Sequence, residues 1–155
     1  MTTDSARINV WKAAPDLYQG MAAFQRAAAD GLDPEIGELI KIRCSQINKC
    51  AFCLDMHNTD ARKMGIDQLK LDLLPAWEEA DGLYSPRERA ALALAEAVTL
   101  LTDGFVPDEV YAEAAKQFEE AELARLIAQI VAINSWNRFQ VTIRRTPASL
   151  ARQQG

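Results

Sequence analysis

Residues 85–104, SPRERAALALAEAVTLLTDG, carry a full set of helix signals and no strand signal. Ser85 and Glu88 have the spacing of a capping box, Pro86 occupies the first turn, and Gly104 supplies a stop. The same grammar recurs along the chain. Pro15 opens PDLYQGMAAFQRAAAD, in which Leu17, Met21 and Phe24 fall at helical spacing. Asp33 caps LDPEIGELIKIRCSQIN, with Pro34 in the first turn, acids at Glu35 and Glu38, and an apolar stripe of Ile36, Leu39, Ile40, Cys44 and Ile47. A further helix is predicted from about Cys50 to Met64, stopped by Gly65 in the left-handed conformation. IDQLKLDLL and PAWEEA read as short pieces, PDEVYAEAAKQF and the long apolar EAELARLIAQIVAINSWNRFQVTI as two more helices. Nothing reads as a strand. The pattern predicts an all-α fold, one domain of six or more helices over residues 1–155 with its core at about 14–143, and a mobile tail at RRTPASLARQQG.

Composition narrows the function classes. The chain has 155 residues, 49% hydrophobic and 25% charged, which suits one globular domain with a sizeable core. Its net charge of −5 comes without a basic run, so nucleic acid and anionic membrane surfaces are poor partners. No stretch approaches the ~18 apolar residues of a membrane span, and MTTDSARINV lacks the basic-then-apolar order of a leader. The expected compartment is the cytoplasm. Under its reducing conditions a close cysteine pair is a catalytic or metal-binding feature more often than a permanent staple, and three cysteines do not suit a disulfide framework.

The chemistry concentrates in SQINKCAFCLDMHNTDARKMG, residues 45–65, which holds Cys50, Cys53 and the one histidine, His57. Positions three and four apart share a helix face, so Cys50, Cys53, His57, Ala61 and Met64 align. Cys50 stands near the helix start, where free N–H groups and the helix dipole favour a thiolate. His57 follows Cys53 by one turn and reaches its sulfur directly or through one water; histidine titrates at ~6.5 and so suits a thiol proton near neutral pH. These are the parts of a two-electron thiol catalyst. Two other readings stay open on the residues alone. Zinc would need a fourth ligand from a carboxylate or Cys44, since a second Cys or His pair at ligand spacing is absent. Plain packing would make the thiols small core hydrophobes. Cys44 belongs to an apolar stripe and reads as core, as do Met21, Phe24 and Trp77. Asp55, Asn58, Asp60 and Arg62 read as solvated faces. Trp136, Asn137 and Arg138 interrupt the last helix as packing, subunit-contact or pocket residues.

ELIKIRCSQINKCAFCLDMH closely resembles the signature of alkyl hydroperoxidase D–like proteins, within the carboxymuconolactone decarboxylase superfamily. SPRERAALALAEAVTLL and INSWNRFQV are similar to later segments of the same family, so the resemblance covers about residues 30–143. It implies an all-helical homo-oligomer, a trimer or hexamer, with peroxidase or disulfide-reductase activity. It further implies that Cys53 attacks a small peroxide, that Cys50 resolves the sulfenic acid as a disulfide, and that His57 and Glu38 relay protons. No bound cofactor or metal is implied; the disulfide would be reduced by an external dithiol such as a lipoyl-bearing protein. Phe52 departs from relatives that carry histidine directly before the second cysteine. Helix-start electrostatics favour Cys50 as the first thiolate, in conflict with the role the resemblance gives to Cys53. Glu38 lies twelve residues before Cys50, ~18 Å along a continuous helix, and points away from the apolar stripe as a solvated acid would. A hairpin at Asn48–Lys49 would bring it level with His57. The rival functions are a carboxymuconolactone decarboxylase–type lyase, which needs no paired cysteines, and a redox-sensing oligomer without sustained turnover.

Overall fold

The computed structural model describes residues 7–155; residues 1–6, which include the opening of the segment read for a leader, lie outside the described residues. Nine α-helices and one 3-10 helix, with no strand, make up the described residues. They are α1 (Val10–Ala13), α2 (Pro15–Ala29), α3 (Pro34–Ile47), α4 (Ala51–Met64), α5 (Gln68–Leu73), a 3-10 turn (Leu74–Glu79), α6 (Pro86–Thr99), α7 (Asp108–Gln117), α8 (Glu120–Thr142) and α9 (Ala148–Gln154). No helix of the described residues is long and apolar enough to cross a membrane.

The local signals act where the sequence puts them. Asp33 accepts hydrogen bonds from the N–H groups of Glu35 and Ile36, starting α3. Ser85 and Glu88 close a reciprocal capping box on α6. Gly65 ends α4 at φ 83°, a conformation open to glycine at little cost. Between α3 and α4 the chain reverses through Lys49 at φ 54°, so the two helices pack as a hairpin.

The core forms where α3, α6 and α8 meet, with α4 and α2 against their flanks. Leu39, Ile40, Ile42, Leu92, Leu94, Leu126, Ile130 and Ile133 are fully enclosed there. A half-buried polar tie fastens the 3-10 turn to this centre: Glu96 accepts from Arg43 at 2.7 Å and from Trp77 at 2.8 Å. On another edge, Lys70 bonds both Glu35 and Glu88, which links α3, α5 and α6.

The structure corrects several expectations. The tail is not a free end: residues 148–154 form α9, which packs on α4 with the Asp55 carboxylate accepting from the Ser149 N–H at 2.9 Å. An acid at a helix N-terminus complements the dipole, so Asp55 is a cap and not a merely solvated side chain. Second, α6 ends at Thr99, and Gly104 (φ 87°) closes the turns that follow. Leu100 and Leu101 are half exposed, so the helix loses its buried face there. Third, Phe24 lies on the outside of α2, exposed by 38%, and is not core; Leu17 of the same stripe is exposed by 46%. Trp77 and Cys44 are buried as read.

Two substitutions rank the contributions. Ser85→Ala removes half of the capping box and should lower the unfolding free energy by about 1 kcal/mol. Leu126→Ala empties a fully enclosed position and should cost about 2–5 kcal/mol. Urea denaturation at unchanged m-value measures both.

Candidate active site

The hairpin brings Glu38, Cys50, Cys53 and His57 to one place. Cys50 is the N-cap of α4, its N–H donating to the Ser45 carbonyl at 3.0 Å and its carbonyl receiving the Leu54 N–H. Cys53 and His57 follow on the inward face of α4, and Glu38 faces them from α3. All four are buried, and all three cysteines of the chain are free thiols. Among the described residues, no group of three or more His, Cys, Asp or Glu is placed to hold a metal ion.

Glu38 is 6% exposed and faces His57 across the hairpin, so of its two readings it is the buried one that describes it. Its Oε2 lies 3.2 Å from His57 Nδ1, and its Oε1 accepts from Lys41 Nζ at 2.5 Å. Burial works against the charge, but the hydrogen bond to His57 and the Lys41 ammonium outweigh it and hold the carboxyl below its ordinary 4.5. An ionised carboxylate only accepts, so Nδ1 carries the hydrogen of this contact. Nε2 is left as the second polar atom of the ring.

The two thiols sit in different fields. The Cys50 sulfur receives the Cys53 thiol hydrogen, and the N–H groups of Phe52 and Cys53 and the Asn137 amide add to this. Against the cost of burial these bring it from 9.0 down to about 7. Cys53 is pushed up, because it donates to Cys50, is buried, and faces the charge that Cys50 acquires. The two shifts run in opposite directions, so the first thiolate forms on Cys50 while Cys53 keeps its proton. The arrangement agrees with the helix-start argument about where charge settles. Cys44, by contrast, is sealed off: burial pushes its thiol up to about 12, with only the Thr99 hydroxyl donating to it.

Access is divided the other way. Cys53, not Cys50, lines a cleft of about 420 Å³ together with His57. Phe52, Met56, Tyr18 and Trp136 give this cleft an apolar wall. Trp11 of α1 braces that wall, its ring centroid 5.6 Å from Tyr18 and 5.4 Å from Trp136.

Sequence reasoning left Asn137 among several roles and did not single out Ser45 or Arg145. Asn137 is 1% exposed; its amide bonds both sulfurs, donates to Ser45 Oγ at 3.0 Å, and accepts from Asn48 at 3.0 Å. Ser45 Oγ in turn donates to the Lys41 carbonyl. A polar residue within the apolar α8 was the available signal. Arg145 stacks its guanidinium 4.3 Å from the centre of the Phe52 ring and faces Cys53 from beyond α8, a placement without any local signal.

Residues 15–97 match the carboxymuconolactone decarboxylase family. The chain is 40% identical to the uncharacterised protein YdfG of Bacillus subtilis, over 94% of this chain and 99% of that one. Its fold superposes, at a TM-score of 0.86 and 34% identity, on a protein of unknown function from Agrobacterium tumefaciens provisionally assigned to antioxidant defence as AhpD. That likeness covers 91% of this chain and 97% of the other. The fold is also that of the alkylhydroperoxidase AhpD core of an uncharacterised peroxidase-related protein from Ralstonia eutropha. There the TM-score is 0.75 at 22% identity, over 89% and 74% of the two chains.

Two pH titrations test this electrostatic picture. The 240 nm absorbance of the reduced protein should report one thiolate per protomer with a midpoint near pH 7, lost in Cys50→Ser and moved upward in Asn137→Ala. A midpoint at the ordinary 9.0 would contradict the N-cap account. Glu38, with its folded pKa below the unfolded one, stabilises the fold above the ordinary carboxylate range and loses that contribution as pH falls through the folded value. The stability gap between wild type and Glu38→Gln should therefore shrink between about pH 6 and about pH 3 in urea titrations.

Proposed function

The chain belongs to the carboxymuconolactone decarboxylase family, and on that footing we propose that it is a thiol-dependent peroxidase of antioxidant defence. The observation that carries the reading is the Cys50–Cys53 pair at the start of α4, of which Cys53 lines an apolar cleft beside the Glu38–His57 couple. Moving the Cys53 proton onto Cys50 or toward His57 places the negative charge on the sulfur that lines the cleft.

The Cys53 thiolate attacks the terminal oxygen of a hydroperoxide ROOH. A sulfur–oxygen bond forms, the oxygen–oxygen bond breaks, and the leaving alkoxide takes a proton from the His57–Glu38 couple to leave as ROH. Sulfur is oxidised by two electrons to the sulfenic acid. Cys50 then attacks the Cys53 sulfur, the disulfide forms as the sulfur–oxygen bond breaks, and the hydroxide leaves as water with the proton that Cys50 sheds. An external dithiol, for which a lipoyl-bearing protein is the proposed carrier, exchanges with the disulfide and is itself oxidised to a disulfide. With Phe52 where some relatives have histidine, proton delivery falls to His57 and Glu38. Assembly as a homo-oligomer, trimer or hexamer, is part of the proposal; the outward-facing Leu17 and Phe24 of α2 support it.

The reading is tested by intact mass and free-thiol counting before and after one equivalent of cumene hydroperoxide. The wild type should lose two thiols rapidly. A sulfenic acid should be trapped at Cys53 when Cys50→Ser is used, and Cys53→Ser should be inert. His57→Asn should slow the first step by about a hundredfold or more. A dithiol that survives the peroxide would overturn the proposal. Lactone decarboxylation that persists in the Cys50→Ser/Cys53→Ser protein would identify the lyase chemistry in its place.

A further inference from the structure

The cleft that Cys53 lines has a charge pattern unlike the rest of the chain. The whole sequence carries 22 acids against 17 lysines and arginines. The residues lining this cleft include Arg26, Lys41 and Arg145 and no carboxylate. Lys41 is neutralised by Glu38 behind it, at 2.5 Å. Arg26 and Arg145 form no ion pair with any described carboxylate; Arg145 rests on the Phe52 ring, and both side chains are exposed. Two uncompensated guanidinium groups thus border an apolar wall built from α2, α4 and α8. Guanidinium groups bind carboxylates through paired hydrogen bonds, and an apolar wall takes a hydrocarbon body.

We propose that this cleft selects amphipathic organic hydroperoxides that carry a carboxylate, held at one of its two free guanidinium groups, Arg26 or Arg145, while the peroxide end meets Cys53. The substrate class rests on the peroxidase reading; the anion subsite rests on the cleft alone. The carboxylate takes no part in the electron transfer, which remains ROOH to ROH with Cys53 oxidised to the sulfenic acid. Its contribution is positional. A salt-sensitive attraction fixes one end of a flexible molecule, and the body lies along Tyr18, Trp136 and Met56. Hydrogen peroxide and uncharged hydroperoxides lack the handle and are expected to react less efficiently.

The test separates the two layers. Calorimetric titration of the reduced wild type with octanoate and with octanamide, equal in chain length and different in charge, reads the subsite without any turnover. Octanoate should bind about tenfold more tightly or better. The preference should vanish in Arg26→Gln/Arg145→Gln and return in Arg26→Lys/Arg145→Lys, with circular dichroism confirming the fold of each. In parallel, kcat/KM for linoleic acid hydroperoxide should exceed that for its methyl ester by a similar factor, and the ratio should approach one in the glutamine variant. Equal binding of octanoate and octanamide, or a preference that survives the glutamine pair, overturns the subsite whether or not peroxide is consumed. Arginine-dependent octanoate binding with equal kcat/KM for acid and ester overturns the assignment of the anion to the oxidant. The same binding with no reduction of either hydroperoxide overturns the peroxidase reading, and the substrate class with it, and leaves the anion subsite standing.

Discussion

The reversal at Asn48 and Lys49 is the constraint on which the rest of the site depends. Without it Glu38 would lie far along a single helix from the cysteines; with it, the carboxylate meets His57 at 3.2 Å. The turn is held by more than its own backbone. Asn48 donates to both Asn134 and Asn137 on α8, and the Cys50 N–H is taken up by the Ser45 carbonyl. A non-glycine residue at positive φ persists only where its surroundings specify it, and here the buried amide network supplies that specification. The same network ends on the two sulfurs, so the element that builds the hairpin also sets the field of the dithiol.

That field separates two properties a reactive thiol needs. Charge settles on Cys50, which has the helix start and three kinds of donor around it. Access belongs to Cys53, which has the cleft. The sequence presents these as a conflict between helix electrostatics and family resemblance. In the folded chain they fall on neighbouring thiols of one helix turn, each shifting the other's titration. The Glu38–Lys41–His57 group extends the pattern, since a carboxylate held ionised in a buried position fixes which imidazole nitrogen carries hydrogen. Burial raises the stakes of each contact, because an unmatched charge in this place would be costly.

Where sequence reasoning missed, the missing information was non-local. The stripe of Leu17, Met21 and Phe24 has the right period for a core-facing helix, yet Leu17 and Phe24 face outward on α2. Periodicity identifies a face but not what it faces. The tail has no strong helical pattern of its own. It is a helix because α4 offers Asp55 as a cap and a surface to pack on. Glu38 reads locally as an ordinary acid near the start of α3, one turn after Glu35, and α4 folding back over it removes it from water. The asparagines of α8 are visible as polar interruptions, but their partners lie some ninety positions away in the chain, as the Asn137–Ser45 and Asn48–Asn137 bonds illustrate.

By itself the sequence determined the all-helical class, the caps at Asp33, Ser85 and Gly65, and the alignment of Cys50, Cys53 and His57 on one helix face. These are short-range matters, settled by hydrogen bonds and dihedral preferences within a turn or two. Tertiary structure alone decided that Glu38 would be buried beside His57, that Asn137 would bond both thiols, and that Cys53 and not Cys50 would open to the cleft with its unpaired arginines. Burial, dielectric and access are properties of the space between helices, and no single helix contains that space.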